Sequence, residues 1–206
     1  MAFKKRNSSD TKPVFSEKKL DCNVLRNNLL DDDATTRRWA ARDLVDCPGA
    51  SLTLLEQLDV ETELSVRQVI FTSLSVIGDS VAVEGLIKCL RSEDTTLRNE
   101  AIEIMKGLPE EVALVMPSLL SDPDPDVRIF SVNILESLQH PSVEQWLIDV
   151  IRDDQHINVC GTAVDLLGEV GTSSALSDLE NLSLRFSEEP YIQFATKLAI
   201  SRIRGE

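Results

Sequence analysis

A short sequence pattern recurs about every thirty residues along this chain of 206 residues. Each copy has an acidic residue, two or three small or apolar residues, an arginine and then an apolar helical pattern. The clear copies are Asp33 to Arg37, Glu63 to Arg67, Asp94 to Arg98 and Asp124 to Arg128, and the weaker ones are His156 to Cys160 and Glu189 to Gln193. We call the last residue of each copy the anchor; successive anchors are 30, 31, 30, 32 and 33 residues apart. A fixed period of this length predicts an array of stacked repeats.

Each period contains two short amphipathic patterns, one on each side of the acidic residue. Apolar residues recur three and four positions apart, which is typical of helices that bury one face. Before the third copy they are Val83, Leu86 and Leu90, and after it Ala101 and Met105. Glycine and proline recur where each second helix should end. The sequence therefore predicts an all-α fold, an α–α superhelix of about six two-helix repeats, over residues 22–206.

The acidic residue of each copy has a structural explanation. An aspartate just before a helix accepts hydrogen bonds from free amide groups of the first turn and complements the helix dipole. We therefore expect Asp33, Asp94 and Asp124 to cap second helices. The signal is sharpest at Asp124, because Pro125 suits the first helical position.

Residues 1–21 differ in composition from the rest of the chain. They hold six basic residues and three acidic ones, with few periodic apolar residues. This composition predicts a flexible basic tail, either terminal disorder or a docking segment that orders on a partner or on the anionic body.

Overall charge limits the possible partners. The formal net charge is −14, and aromatic residues make up only 4% of the chain. Nucleic-acid binding depends on basic residues at phosphates and often on aromatic stacking, so nucleic acid is not an expected partner. No apolar run approaches the ~20 residues of a membrane-spanning helix, and no membrane partner is expected.

The four cysteines and two histidines do not form a metal-binding pattern. Cys22, Cys47, Cys89 and Cys160 lie far apart, without the closely spaced pairs of zinc sites. We expect reduced cysteines that act as small apolar residues in a cytoplasmic protein. Nucleophile, phosphate-loop and zinc-protease motifs are absent from the sequence, so it predicts no catalytic residues, no metal and no cofactor.

The pattern of acid, small residues, Val or Leu, and Arg resembles HEAT repeats, in the short bacterial form often named after phycobilisome lyases. The resemblance covers about residues 22–204 and rests on the three copies that end at Arg37, Arg98 and Arg128. It implies that first helices line the convex side, second helices the concave side, and that Asp and Arg form a ladder between repeats. Arg37, Arg67, Arg98 and Arg128 would be ladder residues. The ladder should fade at Cys160 and Gln193.

If second helices line the inner face, the positions one, two and five after each anchor are candidates to face a partner. Exposed aromatic residues beside Arg and Asn are typical of protein-binding hot spots, although each ring could instead fill a gap between helices. The predicted concave-face residues are Arg38, Trp39, Arg42, Gln68, Asn99, Glu103, Ile129, Phe130, Asn133 and Phe194.

The predicted function is a non-enzymatic protein-binding module, an adaptor, scaffold or regulator of the kind found in signalling or assembly complexes. It would act as a monomer or weak homodimer and hold one protein partner, such as a basic or helical segment, in its concave face. The alternative is an enzyme resembling bilin lyases, or a chaperone for a chromophore protein, for which only Arg38 and Arg42 offer obvious counter-ions. Repeat-built DNA glycosylases need a cationic face, and the charge here has the opposite sign.

Overall fold

The structure is a computed structural model that describes residues 21–206. Apart from Asp21, the predicted flexible tail lies outside the described residues. The described part contains thirteen α-helices and no strand, which confirms the predicted all-α class. First helices of the pairs are α1 Cys22–Asn28, α3 Ala50–Leu58, α5 Ser80–Leu90, α7 Pro109–Ala113 with α8 Met116–Leu120, α10 Val143–Asp153 and α12 Leu176–Arg185. Second helices are α2 Ala34–Asp43, α4 Leu64–Ile77, α6 Thr95–Lys106, α9 Pro125–Leu135, α11 Ile157–Val170 and α13 Pro190–Arg204.

The helices form two layers. In the second-helix layer each helix packs on the next, in the order α2, α4, α6, α9, α11 and α13. In the first-helix layer α3 packs on α5, α5 on α7, α8 on α10 and α10 on α12, whereas α1 packs on α2 and on the 3-10 turn Leu44–Asp46. Neighbours in sequence are therefore neighbours in space, as expected of a solenoid.

One apolar core runs between the layers from Leu25 to Ala199. Among the described residues it is almost wholly aliphatic, and Phe71 is the one aromatic side chain that is fully buried there. Leu86, which the helical pattern predicts as a core residue, is buried, and so is Leu135 on α9. Because each pair buries its apolar stripes only against its neighbours, the stability of any one pair depends on the pairs beside it.

Acidic residues precede the second helices as predicted, but only the aspartates among them cap the helix with their side chains. Asp33, Asp94 and Asp124 each accept a hydrogen bond from an amide of the first helical turn. Glu63 and Glu189 occupy the same position without such a bond. Aspartate is the preferred cap because its shorter side chain reaches back to these amides.

The fourth first helix is broken into α7 and α8. Pro117 lies in the first turn of α8 and has no N–H to donate to the carbonyl of Ala113, where α7 ends. The result is a five-residue α8 beside the eleven-residue α10. This mismatch leaves part of α10 uncovered.

The cysteine prediction was wrong in part. Cys22 and Cys47 form a disulfide that joins the start of α1 to the segment before α3. Cys89 and Cys160 are free thiols, half-buried and buried respectively. Disulfides are rare in the cytosol of most organisms, so this pair counts against the expected cytoplasmic location, which stays a prediction. Separately, within residues 21–206 no helix combines the length and apolar character of a membrane span.

Candidate partner-binding surface

The anchor arginines tie each turn to the helix that follows it. Each donates a hydrogen bond to the backbone carbonyl six residues earlier. The bonds run from Arg37 to Asp31, Arg67 to Glu61, Arg98 to Ser92 and Arg128 to Asp122, at 2.6 to 2.8 Å. At the fifth anchor the Sγ of Cys160 makes the same contact with the carbonyl of Asp154, at 3.3 Å. The anchors therefore share one register although the residue type changes.

Three anchor arginines also reach a carboxylate of the next repeat. Arg37 binds both carboxylate oxygens of Glu61, at 2.8 and 2.9 Å. Arg128 binds both oxygens of Asp154, at 2.6 and 3.1 Å. Arg67 makes a single contact with Asp94, at 3.0 Å. These pairs form the ladder implied by the resemblance, and bidentate geometry is the strongest form of such a pair.

Arg98 departs from the ladder. No described carboxylate pairs with it, and its Nε is buried without a hydrogen-bond partner in the described structure. Asp122, which lies six residues before the next anchor as Glu61 and Asp154 do, binds Arg91 at the end of α5 instead. The guanidinium of Arg98 lies over the ring of Phe130, 5.2 Å from its centroid. A cation–π contact therefore takes the place of the ion pair.

Toward the C-terminus other groups replace the ladder. Arg185, from α12, donates to the carbonyls of Ile151 and Asp154, at 2.9 and 2.7 Å, and lies 3.5 Å from the Sγ of Cys160. Gln193 donates to the carbonyls of Ser183 and Phe186. The arginine–carboxylate ladder thus ends at Asp154, as the loss of arginine at the last two anchors predicts.

Sequence reasoning missed the acidic residues six positions before the anchors. Each carboxylate there accepts the backbone N–H of the residue two positions later. These bonds are Asp31 with Asp33, Glu61 with Glu63, Asp122 with Asp124 and Asp154 with His156, at 2.7 to 3.0 Å. The signal was available, because an acid stands at this position before four of the six anchors, and serine stands there before Arg98 and Gln193. They are structural residues that fix the turns and receive the arginines.

These contacts change the pKa of the turn acids. Hydrogen bonding from Arg37 lowers the pKa of Glu61 to about 2, although burial opposes the change. Hydrogen bonding from Arg91 lowers the pKa of Asp122 in the same way. Glu61 and Asp122 are therefore ionised at neutral pH, so each forms a full ion pair with its arginine.

The predicted concave-face residues have different exposures. Arg42, Gln68, Asn99 and Glu103 are exposed, and Arg38 and Asn133 are half-buried. Trp39 is 48% exposed and Phe194 67% exposed. Ile129 and Phe130 are half-buried and pack against the core. Of the aromatic residues in this predicted set, Trp39 and Phe194, one at each end of the second-helix layer, are therefore exposed, and Phe130 is not.

The ring of Trp39 lies between two arginines of its own helix. The guanidinium carbons of Arg38 and Arg42 lie 5.6 and 4.2 Å from the ring centroid. Arg42 also pairs with Asp43, at 2.6 Å, so this end of the second-helix layer is aromatic and carries one positive charge in excess, in contrast to the acidic chain as a whole.

The middle of the second-helix layer is acidic. Lys106 bridges Glu103 and Glu136, at 2.9 and 3.2 Å. Next to this bridge lies a shallow groove of about 170 Å³ between α9 and α11, in which Asn133 meets acidic side chains of both helices. The acidic residues that line it are Glu136, Asp165 and Glu169.

Tyr191 covers the surface at the fifth anchor. A Cβ on Gly161 would lie 2.5 Å from the Tyr191 ring, so the ring rests directly on the glycine backbone. The hydroxyl of Tyr191 donates to Asp165, at 2.6 Å. Burial, together with this hydrogen bond to a carboxylate, raises the pKa of Tyr191 to about 12. Any residue larger than glycine at position 161 would collide with the ring of Tyr191.

Within residues 21–206 no three His, Cys, Asp or Glu side chains group as metal ligands. The helices form a solenoid of two-helix repeats that hydrogen bonds and ion pairs join at the turns. Residues 112–201 match the family model for HEAT repeats, which confirms the resemblance for that part of the chain. No curated protein matches the chain.

Solved structures similar to this chain have low sequence identity. An archaeal HEAT-like repeats protein from Thermococcus onnurineus NA1 is 18% identical, with a TM-score of 0.48, over 89% of this chain and 87% of that one. Human deoxyhypusine hydroxylase in complex with glycerol is 17% identical, with a TM-score of 0.47, over 90% and 85%. The complex of CpcE and CpcF of phycocyanin lyase from Nostoc sp. PCC7120 is 19% identical, with a TM-score of 0.38, over 96% of this chain and 100% of that one.

The prediction that the chain is not an enzyme was wrong, because these similar structures include a hydroxylase and a lyase complex. A solenoid of helix pairs does not by itself exclude catalysis, since function depends on the site that a fold carries. The coarser prediction, a repeat fold of the kind that serves as a protein-interaction scaffold, agrees with the HEAT match.

Proposed function

We propose that residues 22–206 act as a protein-binding scaffold whose second-helix layer holds one partner. The observation that carries this proposal is the half-exposed ring of Trp39 between Arg38 and Arg42. Tryptophan and arginine are the residues most enriched at binding hot spots. Covering such a ring removes apolar surface from water, which contributes roughly 1.5 to 3 kcal/mol for a large side chain.

The charges along the same layer favour a partner segment that carries an acidic residue at one end and a basic residue farther along. Arg38 and Arg42 at one end suit an acidic residue, whereas the stretch from Glu103 to Glu169 suits a basic one. The exposed ring of Phe194 at the far end offers a second apolar contact. An amphipathic helix or a basic segment laid along the layer would meet all three regions.

Affinity capture from the source cell extract, with quantitative mass spectrometry, tests the proposal. Trp39→Glu and Phe194→Glu place a charge on the second-helix layer. Leu52→Glu and Leu184→Glu are matched controls on the first-helix layer, where the side chains are 57% and 76% exposed. Circular dichroism melts establish that all four variants fold.

We expect a protein that wild type captures to be lost from the Trp39 and Phe194 variants and kept by both controls. A protein kept by all four variants, or lost equally from all four, would contradict the assignment of the second-helix layer. The association rate should also fall at high salt, because salt screens the opposite charges that speed the encounter of the two proteins.

A further inference from the structure

A second surface, away from Trp39 and Phe194, lies between α8 and α10 beside the start of α9. A groove of about 730 Å³ runs there between α8, the turn that precedes α9, and the C-terminal half of α10. Its apolar lining includes Pro117, Leu120, Pro123, Trp146 and Val150. Its volume falls within the ~300 to 1,000 Å³ typical of ligand sites.

The charges that line the groove are mostly negative. Four aspartates and one arginine line it, and the arginine, Arg128, is already paired with Asp154. Asp122 is paired with Arg91. Asp149 contacts Arg152, which it shares with Asp178, and the carboxylate of Asp153 has no hydrogen-bond partner in residues 21–206. The α10 side of the groove therefore retains negative charge that a cation would complement.

The spacing of the residues on α10 specifies which segment would fit. Trp146, Asp149 and Asp153 follow each other at three and four positions, so they form one stripe with steps of about 4.5 and 6 Å along the helix. In an extended chain, side chains on one side are two residues apart, about 6.6 Å. A segment with an apolar residue, then basic residues two and four positions later, would bring its apolar side chain to Trp146 and its charges near the two aspartates, because long, flexible basic side chains span the difference of about 0.6 to 2 Å per step.

We propose that this groove binds an extended, basic segment of a partner protein with the pattern apolar, any, basic, any, basic, in either direction. The partner would contact apolar surface at Trp146 and Leu120 and would be oriented by Asp149 and Asp153. Lysine or arginine beside the indole also gains cation–π attraction. This site is independent of the one on the second-helix layer, so either can fail without the other.

A fluorescence titration tests the groove directly. The chain has two tryptophans, so Trp39→Phe leaves Trp146 as the only one. The probe is the peptide acetyl-Gly-Leu-Ser-Lys-Ser-Lys-Gly-amide, added to the full chain at low salt. The control peptide, acetyl-Gly-Leu-Lys-Lys-Ser-Ser-Gly-amide, has the same composition in another order. We expect a saturable change in Trp146 fluorescence with the first peptide and binding about tenfold weaker with the second.

Charge variants separate the groove from the general negative charge of the protein. Asp149→Asn with Asp153→Asn should weaken binding about tenfold, because both cations of the peptide lose their partners. Glu84→Gln with Glu93→Gln changes the net charge equally at exposed sites outside the groove and should leave binding unchanged. Equal loss in both double variants, or no fluorescence change with either peptide, would overturn the proposal.

Two other occupants give distinct results. Lys4 and Arg6 are the one pair of basic residues two positions apart in residues 1–20. If Lys4→Ser with Arg6→Ser made the full chain bind the peptide more tightly, the groove would belong to the chain's own N-terminal segment. If sedimentation revealed a dimer that the Asp149 and Asp153 variant abolished, it would belong to a second copy. Either result would overturn the assignment to a partner protein.

Discussion

Arg37 and Glu61, which lie 24 residues apart, are joined by two parallel hydrogen bonds at 2.8 and 2.9 Å, and both side chains are largely buried. Gln57 and the backbone N–H groups of Thr62 and Glu63 also donate to Glu61. The carboxylate is therefore surrounded by donors. The pair joins the first repeat to the second, so its protonation state should affect the stability of the N-terminal end of the array.

The first prediction concerns how the stability of the protein depends on pH through Glu61. Glu61 has a folded pKa of about 2, against an ordinary value of 4.5. Its contribution is therefore present above about pH 4.5 and is lost as the pH falls toward 2. We expect Glu61→Gln to lower the free energy of unfolding at pH 7 by about 2 to 3 kcal/mol, after some allowance for screening by water. Urea unfolding at several pH values measures this difference, which should shrink below pH 4. A difference that stayed constant between pH 7 and pH 2.5, or an equal loss in the exposed control Glu84→Gln, would contradict the assignment.

The second prediction compares two anchor arginines. Arg128→Leu leaves the carboxylate of Asp154 buried without its partner, which should cost about 3 to 5 kcal/mol. Arg98→Leu leaves no carboxylate behind among the described residues, and should cost only about 1 to 2 kcal/mol for one hydrogen bond and the contact with Phe130. Denaturant unfolding of both variants, with exposed Arg202→Leu as the control, gives the order. Equal losses at Arg98 and Arg128 would show that the backbone contact, common to both, dominates the ladder.

The sequence predicts the helices, their caps and the ladder arginines because these depend on local spacing and on one period. It does not predict that Arg91 binds Asp122, since this requires knowing how α5 ends relative to the next turn. Nor does spacing show that Cys22 and Cys47 meet, because a sequence separation of 25 residues could close in many ways.

The candidate surface was predicted less well than the fold. Positions one and two after the anchor differ in exposure from repeat to repeat, as Trp39 and the half-buried Phe130 illustrate. A helix turns by about 100° per residue, so a small roll of each helix against its neighbours decides which of two adjacent side chains is covered. Position five after the anchor, as at Arg42 and Glu103, is exposed more consistently because it lies farther from the packed stripe.

The third prediction concerns the disulfide. A crosslink that closes a 25-residue interval should stabilise the folded state by about 3 kcal/mol, mainly by restricting the unfolded chain. In an array of nearest-neighbour contacts the effect should be local to α1 and α2. Hydrogen exchange with and without reductant should show loss of protection in these two helices and little change in α11 and α13. A Cys22→Ser with Cys47→Ser variant should match the reduced protein and no longer respond to reductant. Uniform loss of protection in all helices would contradict a local role.

The fourth prediction uses the fact that the chain has a single tyrosine. Tyr191 is partly covered at Gly161 and donates to Asp165, and its pKa is raised to about 12. Ultraviolet titration of the phenolate should therefore show a midpoint near pH 12 in the folded protein and near 10 in urea. Asp165→Asn removes the neighbouring negative charge, so it should lower the midpoint while burial keeps it above 10. The exposed carboxylate of Glu169, one helical turn away, provides the matched control as Glu169→Gln, for which we expect an unchanged midpoint. A wild-type midpoint near 10 would mean that the ring does not rest on Gly161, and the covered surface at the fifth anchor would then be open to a partner.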